Sequence, residues 1–257
     1  MNSDSPASLP KVAWCLPAQY NDNSFWIRGH KAKIGAPDEK LVYIGVGHAL
    51  SNWEHVESAG AMFFSTFIES ASIAGTRAYG TINGSRAREA ALRQAADTFF
   101  SLQKSQHRKN RSIYDEIIKS EKIANCLIKN YSQASARRND IAHGVAQELS
   151  AEKTDKYSWF LVAQNYQSTK TVNWIEDDVK LRDNKGFSIH DKNSYFDYKK
   201  FYYKNSQYVF GIQELKIFSG KFIYLYADIL CFLRMFNPEK FKFTPEEIYV
   251  VAKALSQ

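Results

Sequence analysis

The stretch LVYIGVGHALSNWEHVESAGAMFFSTFIESAS, residues 41–72, has the spacing of a long helix. Val46, Leu50, Trp53, Val56, Gly60, Phe63, Phe64 and Phe67 recur at intervals of three and four, which lines them along one stripe. Ile44, His48, Ser51, His55 and Ser58 form a second stripe, mostly polar. Such a helix buries its apolar side against other helices, so the stretch points to a bundle.

Further helical patterns follow. Ser85 to Ser101 sets Ala87, Ala91, Ala95 and Phe99 on one face, with Arg86, Arg88 and Arg93 as basic positions. Gly80 and Asn83-Gly84 punctuate the connection before it. A third pattern runs from Ile113 to Tyr131 through Ile117, Ile118, Ile123, Leu127 and Ile128, and a fourth spans about Ala134 to Leu149. Gly144 inside the fourth costs about 1 kcal/mol relative to alanine. It allows close approach of another backbone or a bend; the alternative is that the helix breaks there. Helical periodicity returns from Gly211 to about Met235. Thr244-Pro245-Glu246-Glu247 then opens a last short helix, with Thr244 as N-cap and Pro245 in the first helical position.

Between these helices the character changes. Residues 157–166, 169–175 and 187–189 are short β-branched or aromatic runs bounded by Asp, Asn, Lys and Gly, the pattern of a small antiparallel element. Tyr195 to Phe210 holds five tyrosines, three phenylalanines and three lysines, which suits a half-buried strand or a base-stacking platform. The expected fold is therefore mainly α: at least four long helices, with a small antiparallel β insertion at about residues 156–210. Residues 1–40 carry four of the six prolines and read as an N-terminal arm with one short strand near Val12 to Leu16. Residues 41–257 form the helical domain.

A chain of 257 residues with 44% hydrophobic content can bury a sizeable core. The formal net charge of +7 suits a polyanionic partner without requiring one. Cys15, Cys126 and Cys231 are odd in number and far apart, and no CxxC or Cys/His ligand spacing occurs, so buried reduced thiols are expected rather than zinc or disulfides. His48 and His55 are separated by seven residues, not the four that two helical metal ligands would need, so no metal site is expected. No cofactor is expected either, since P-loop and GxGxxG patterns are lacking. The first residues, Met1-Asn2-Ser3-Asp4-Ser5-Pro6, have neither a basic nor an apolar run, so no signal peptide is expected. Phe222 to Met235 is interrupted by Asp228 and ended by Arg234, so no membrane span is expected and the cytoplasm is the expected location.

The chemistry concentrates in Arg138-Asn139-Asp140-Ile141-Ala142-His143-Gly144. Arginine offers a planar fork matched to phosphate oxygens, and histidine is the side chain that titrates nearest neutrality. On a helix Asn139 and His143, four apart, share a face. The bare Arg-to-His spacing says little, because 11 arginines and 6 histidines in 257 positions give roughly 0.8 chance matches. The whole string says more. It resembles the signature of the HEPN superfamily, helical bundles in which Arg, four to six residues, then His marks metal-independent endoribonucleases. In that family a polar residue, often Asn, follows the Arg, as Asn139 does here, and the Ala-His-Gly ending is familiar from bacterial members. Ile44 to Ile68 is similar to the long first helix of such bundles.

The resemblance implies RNA cleavage by transesterification. His143 would act as general base on a ribose 2′-hydroxyl or as general acid on the leaving 5′-oxygen. Arg138 would stabilise the charge developing on the phosphorus oxygens, and Asn139 would orient the phosphate or the imidazole. Arg137, also at a permitted spacing, is the second arginine candidate and a flanking phosphate contact. Asp140 faces solvent or pairs with an arginine. His48, Ser51 and His55 either line the cleft opposite the motif or are polar positions on a partly exposed face. One histidine does not readily serve as both base and acid, so a two-fold homodimer that joins two motifs is expected. The resemblance also implies a bacterial toxin or phage-defence effector, with an antitoxin or regulatory protein as a further partner. The competing reading is a non-catalytic module of the same helical class that holds RNA or a protein.

Overall fold

The computed structural model describes residues 25–26, 34–69, 73–150, 157–163, 209–236, 242 and 244–255. Among them are six helices: α1 (Glu39–Phe67), α2 (Ile73–Gly80), α3 (Ser85–Gln106), α4 (Arg111–Ala142), α5 (Ile212–Phe236) and α6 (Pro245–Leu255). Three strands, β1 (Gly144–Ser150), β2 (Tyr157–Ala163) and the two-residue β3 (Val209–Phe210), form one antiparallel sheet in the order β1-β2-β3. The fold is mainly α with a small β insertion.

The helix ends follow local chemistry. Asp38 caps α1, its carboxylate accepting from Lys40 N at 2.7 Å. The helix stops at Phe67, five residues short of the sequence-based end, where Glu69 takes a positive φ of 52°. Gly84, at φ 82°, precedes α3 in the left-handed conformation that its Asn-Gly signal announces. The basic run at residues 107–111 is the α3–α4 junction, and Asn110 caps α4 by accepting from Ile113 N at 3.3 Å. Thr244 and Glu247 form a reciprocal capping box at the head of α6, with bonds of 3.2 and 2.6 Å.

Three expectations are corrected. The third and fourth helices are one 32-residue helix, α4, because no proline or glycine interrupts residues 111–142. That helix does not reach Leu149: it ends at Ala142, so the alternative of a break at Gly144 is the one observed, and the chain from Gly144 to Ser150 is β1. The buried face of α3 is Leu92, Ala96 and Phe100, one position on from the stripe of Ala87, Ala91, Ala95 and Phe99, so the larger Leu and Phe occupy the core. The short helix α2 gives no clear periodic signal. The runs at 169–175 and 187–189, the residues 195–208 and the strand near Val12 lie outside the described residues, as does Cys15.

The chain divides into two compact units. One holds Met1–Trp26, Ser51–Ala136 and Ser219–Gln257; the other holds Ile27–Leu50 and Arg137–Phe218. In the first, Trp53, Val56, Phe63 and Phe67 of α1 are buried, as the periodicity predicts, together with Ala59 of the same helix, Leu127, Ile128 and Tyr131 of α4 and Phe222, Leu225 and Phe232 of α5. Phe63, Phe67, Phe99, Phe100, Phe232 and Phe236 form a chain of ring contacts with centroids 4.6–6.3 Å apart, tilted or edge-on as ring quadrupoles favour. Trp26 stacks on Phe222 and donates to Asn130 Oδ1 at 2.7 Å, which ties the end of the N-terminal arm to α4 and α5.

A polar knot lies in the same core. Glu57 accepts from Trp53 Nε1 at 3.1 Å and from the Tyr131 hydroxyl at 3.1 and 3.2 Å, and pairs with Arg88 at 2.9 Å. Tyr79 in turn donates to the Tyr131 hydroxyl at 3.1 Å. Burial pushes both phenols well above the usual tyrosine range, so they remain neutral hydroxyls.

In the second unit, β1 and β2 pair from Gly144↔Ala163 to Ser150↔Tyr157, and β2 meets β3 through Leu161↔Phe210. Ala36 bridges to Trp159 through two backbone bonds of 2.7 and 2.8 Å. Phe160, Leu161, Val162 and Phe210 are buried.

Two measurements test this packing. Glu57→Ala strands three donors in a largely dry site and should lower stability by about 3 kcal/mol in urea unfolding, more than a surface Glu→Ala change. Burial also pushes the Cys231 thiol up to about 12, so Cys231 should resist a thiol reagent at pH 8 until denaturant is added.

Candidate functional site

The last turn of α4 carries the motif. Ala134 and Ile141, seven residues apart, are fully buried and set the rotation of the helix end, which leaves residues 137–140 half-buried. Arg137 Nη1 lies 2.8 Å from Asp140 Oδ2, with side-chain exposures of 11% and 19%. The two approach as an ion pair without hydrogen-bond alignment, and Arg137 Nε is likewise buried with no hydrogen-bond partner among the described residues. Of the two alternatives for Asp140, pairing with an arginine is the one observed.

Arg138 has a different partner. Its Nη1 donates to Asn139 Oδ1 at 3.1 Å, and its Nε is buried with no hydrogen-bond partner among the described residues. Asn139 has a double role. Its side-chain oxygen receives Arg138, while its backbone oxygen receives the N–H of His143 at 3.0 Å. That backbone bond is the last i to i−4 bond of α4, so His143 keeps the helical spacing to Asn139 although it lies one residue past the helix. Its side chain is exposed. The Arg138 guanidinium and the His143 backbone are thus both bonded to one asparagine, while the His143 imidazole itself is exposed.

Immediately after His143 the chain becomes β1, and Gly144 lies against Leu161 of β2. A Cβ at Gly144 would fall 2.6, 2.8 and 3.0 Å from the Leu161 Cγ, Cδ1 and Cδ2. Neither Gly144 as the first residue of a strand nor Leu161 was singled out by the motif reading. A signal was present: a glycine followed by a β-branched residue, Val145, ends helical preference.

The remaining candidates lie on α1. His48 and Ser51 are exposed, and neither side chain has a hydrogen-bond partner among the described residues. His55 is half-buried, its ring 5.3 Å from that of Tyr226 on α5. The three therefore do not present one uniformly open face. Among the described residues no group of three or more His, Cys, Asp or Glu is placed to hold a metal ion, and no helix is long and apolar enough to cross a membrane.

Comparison of the chain with protein-family models, curated proteins and solved structures finds no match.

The Arg137–Asp140 pair gives a test of site architecture. Asp140→Ala leaves a largely buried guanidinium uncompensated and should lower unfolding free energy by about 3 kcal/mol, whereas replacing both partners by apolar residues should cost much less. Equal losses in the two variants would show that the pairing does not govern the effect.

Proposed function

We propose that this chain is a metal-independent endoribonuclease of the HEPN type, with Arg138, Asn139 and His143 as its catalytic residues. The observation that carries the reading is the double use of Asn139, which holds the Arg138 guanidinium through its side chain and the His143 backbone through its carbonyl. The Arg138 guanidinium, whose Nε has no hydrogen-bond partner among the described residues, and the exposed imidazole are suited to the two functions that phosphodiester transesterification needs: charge stabilisation and proton transfer. Attack by the 2′-hydroxyl restricts cleavage to RNA. The net charge of +7 favours approach to a polyanion.

Arg137, held by Asp140, serves the helix end more than the substrate. A single histidine supplies one proton-transfer group, so the proposal includes a two-fold homodimer in which the motif ends of two α4 helices face each other. The proposed setting is a cytoplasmic toxin or phage-defence effector restrained by an antitoxin or regulatory protein. It comes from the resemblance in residues 138–144.

Purified protein should cleave RNA in the presence of EDTA and leave 2′,3′-cyclic phosphate or its hydrolysis product. His143→Ala and Arg138→Ala should each lower the rate at least about 100-fold, the scale of losing one acid–base or charge-stabilising group. Arg137→Ala should do less. Full cleavage by both well-folded variants would sink the mechanism without supporting the non-catalytic module; wild-type protein that binds RNA or a protein but cleaves no RNA would leave that module as the reading. A strictly monomeric species in sedimentation that still cleaves RNA would remove the composite site.

A further inference from the structure

We propose that Gly144 and Leu161 are positioning residues for His143: the close seat of Gly144 on Leu161 fixes where the chain leaves α4, and hence where the imidazole stands. The role in cleavage rests on the endoribonuclease reading above; the geometry does not.

His143 has one helical tie, its N–H to the Asn139 carbonyl at 3.0 Å, and is followed at once by the first paired residue of β1. Its position is therefore set from both sides, by the last turn of α4 and by the register of β1 on β2. That register places Gly144 opposite Ala163 and Ala146 opposite Leu161, so Gly144, Ala146, Leu161 and Ala163 share one face of the sheet. Leu161 is the one large side chain of the four and is fully buried, while Ala146 and Ala163 are nearly so. Leu161 is also paired on its other side, to Phe210 of β3, which keeps it from retreating.

The demand for glycine at 144 is one of space. Among the described glycines only Gly84 has a positive φ, so the backbone at 144 accepts an L side chain. What refuses it is the branch of Leu161: Cγ at 2.6 Å is the base of that side chain, not a free end that can swing aside. An added methyl must push β1 away from β2 at the residue next to His143. All three obstructing atoms belong to Leu161 beyond Cβ, so truncating Leu161 to alanine removes the conflict.

The experiment compares wild type, Gly144→Ala, Leu161→Ala and the double variant by amide hydrogen exchange at His143 and by RNA cleavage with EDTA present. Gly144→Ala should speed exchange of the His143 amide relative to that of Ile141, one residue inside the helix end, and lower cleavage about 100-fold, as small misplacements of catalytic groups do. The double variant should recover both to within about threefold of Leu161→Ala. If Gly144→Ala does not fold, the comparison of the double variant with Leu161→Ala decides: matching exchange and cleavage support the proposal. A His143 amide in Gly144→Ala that exchanges as in wild type, or a folded double variant that stays displaced relative to Leu161→Ala, overturns it. Wild-type protein that cleaves no RNA sinks the function reading, while the exchange data still decide the positioning.

Discussion

The buried carboxylate of Glu57 is the constraint on which the larger unit depends. A charge withdrawn from water is destabilising unless donors surround it, and here they come from three helices. Trp53 lies one turn earlier on α1, Arg88 on α3 and Tyr131 on α4, and Tyr79 of α2 reaches the same carboxylate through the Tyr131 hydroxyl. Apolar packing alone tolerates sliding of one helix along another, because rings and aliphatic chains interlock in several registers. A set of directional bonds to one carboxylate does not. The Phe63 to Phe236 ring chain then supplies contact area around a register that Glu57 specifies.

The same logic explains the contrast between the two arginines at the end of α4. Both are half-buried cations, and each has a different neighbour. Arg137 is matched by a full opposite charge, Asp140, three residues on and on the same side of the helix. Arg138 is matched only by a neutral amide oxygen, and its Nε keeps an unused donor among the described residues. A paired guanidinium is neutralised where it stands. One held by a neutral amide keeps its net positive charge, which is the difference between Arg138 and Arg137. The choice between them, left open by spacing, is thus argued from what each touches.

The β-insertion bears on the motif through a single residue. Had α4 run on to Leu149, as its polar and apolar spacing allows, His143 would have been an ordinary helical position. Instead the helix stops at Ala142, and the backbone at Gly144 fits beside Leu161 because glycine has no Cβ there. Leu161 of β2, seventeen residues after Gly144, thereby shapes the neighbourhood of the motif.

The sequence by itself determined the elements whose causes are local. The α1 stripe from Trp53 to Phe67, the Thr244–Glu247 capping box and the Asn83-Gly84 turn arise from side chains within a few residues of one another, so their spacing is their physics. The string from Arg138 to His143 was likewise legible as a candidate site. Tertiary structure alone decided what depends on distant partners: the one-residue rotation of α3 that buries Leu92 and Phe100, the pairing of Gly144 with Ala163, and the surroundings of Glu57. Residues 144–149 show why. Gly144 followed by Val145 signals locally that the helix can end, but the ladder that makes these residues a strand is supplied by β2, a partner that no local pattern identifies.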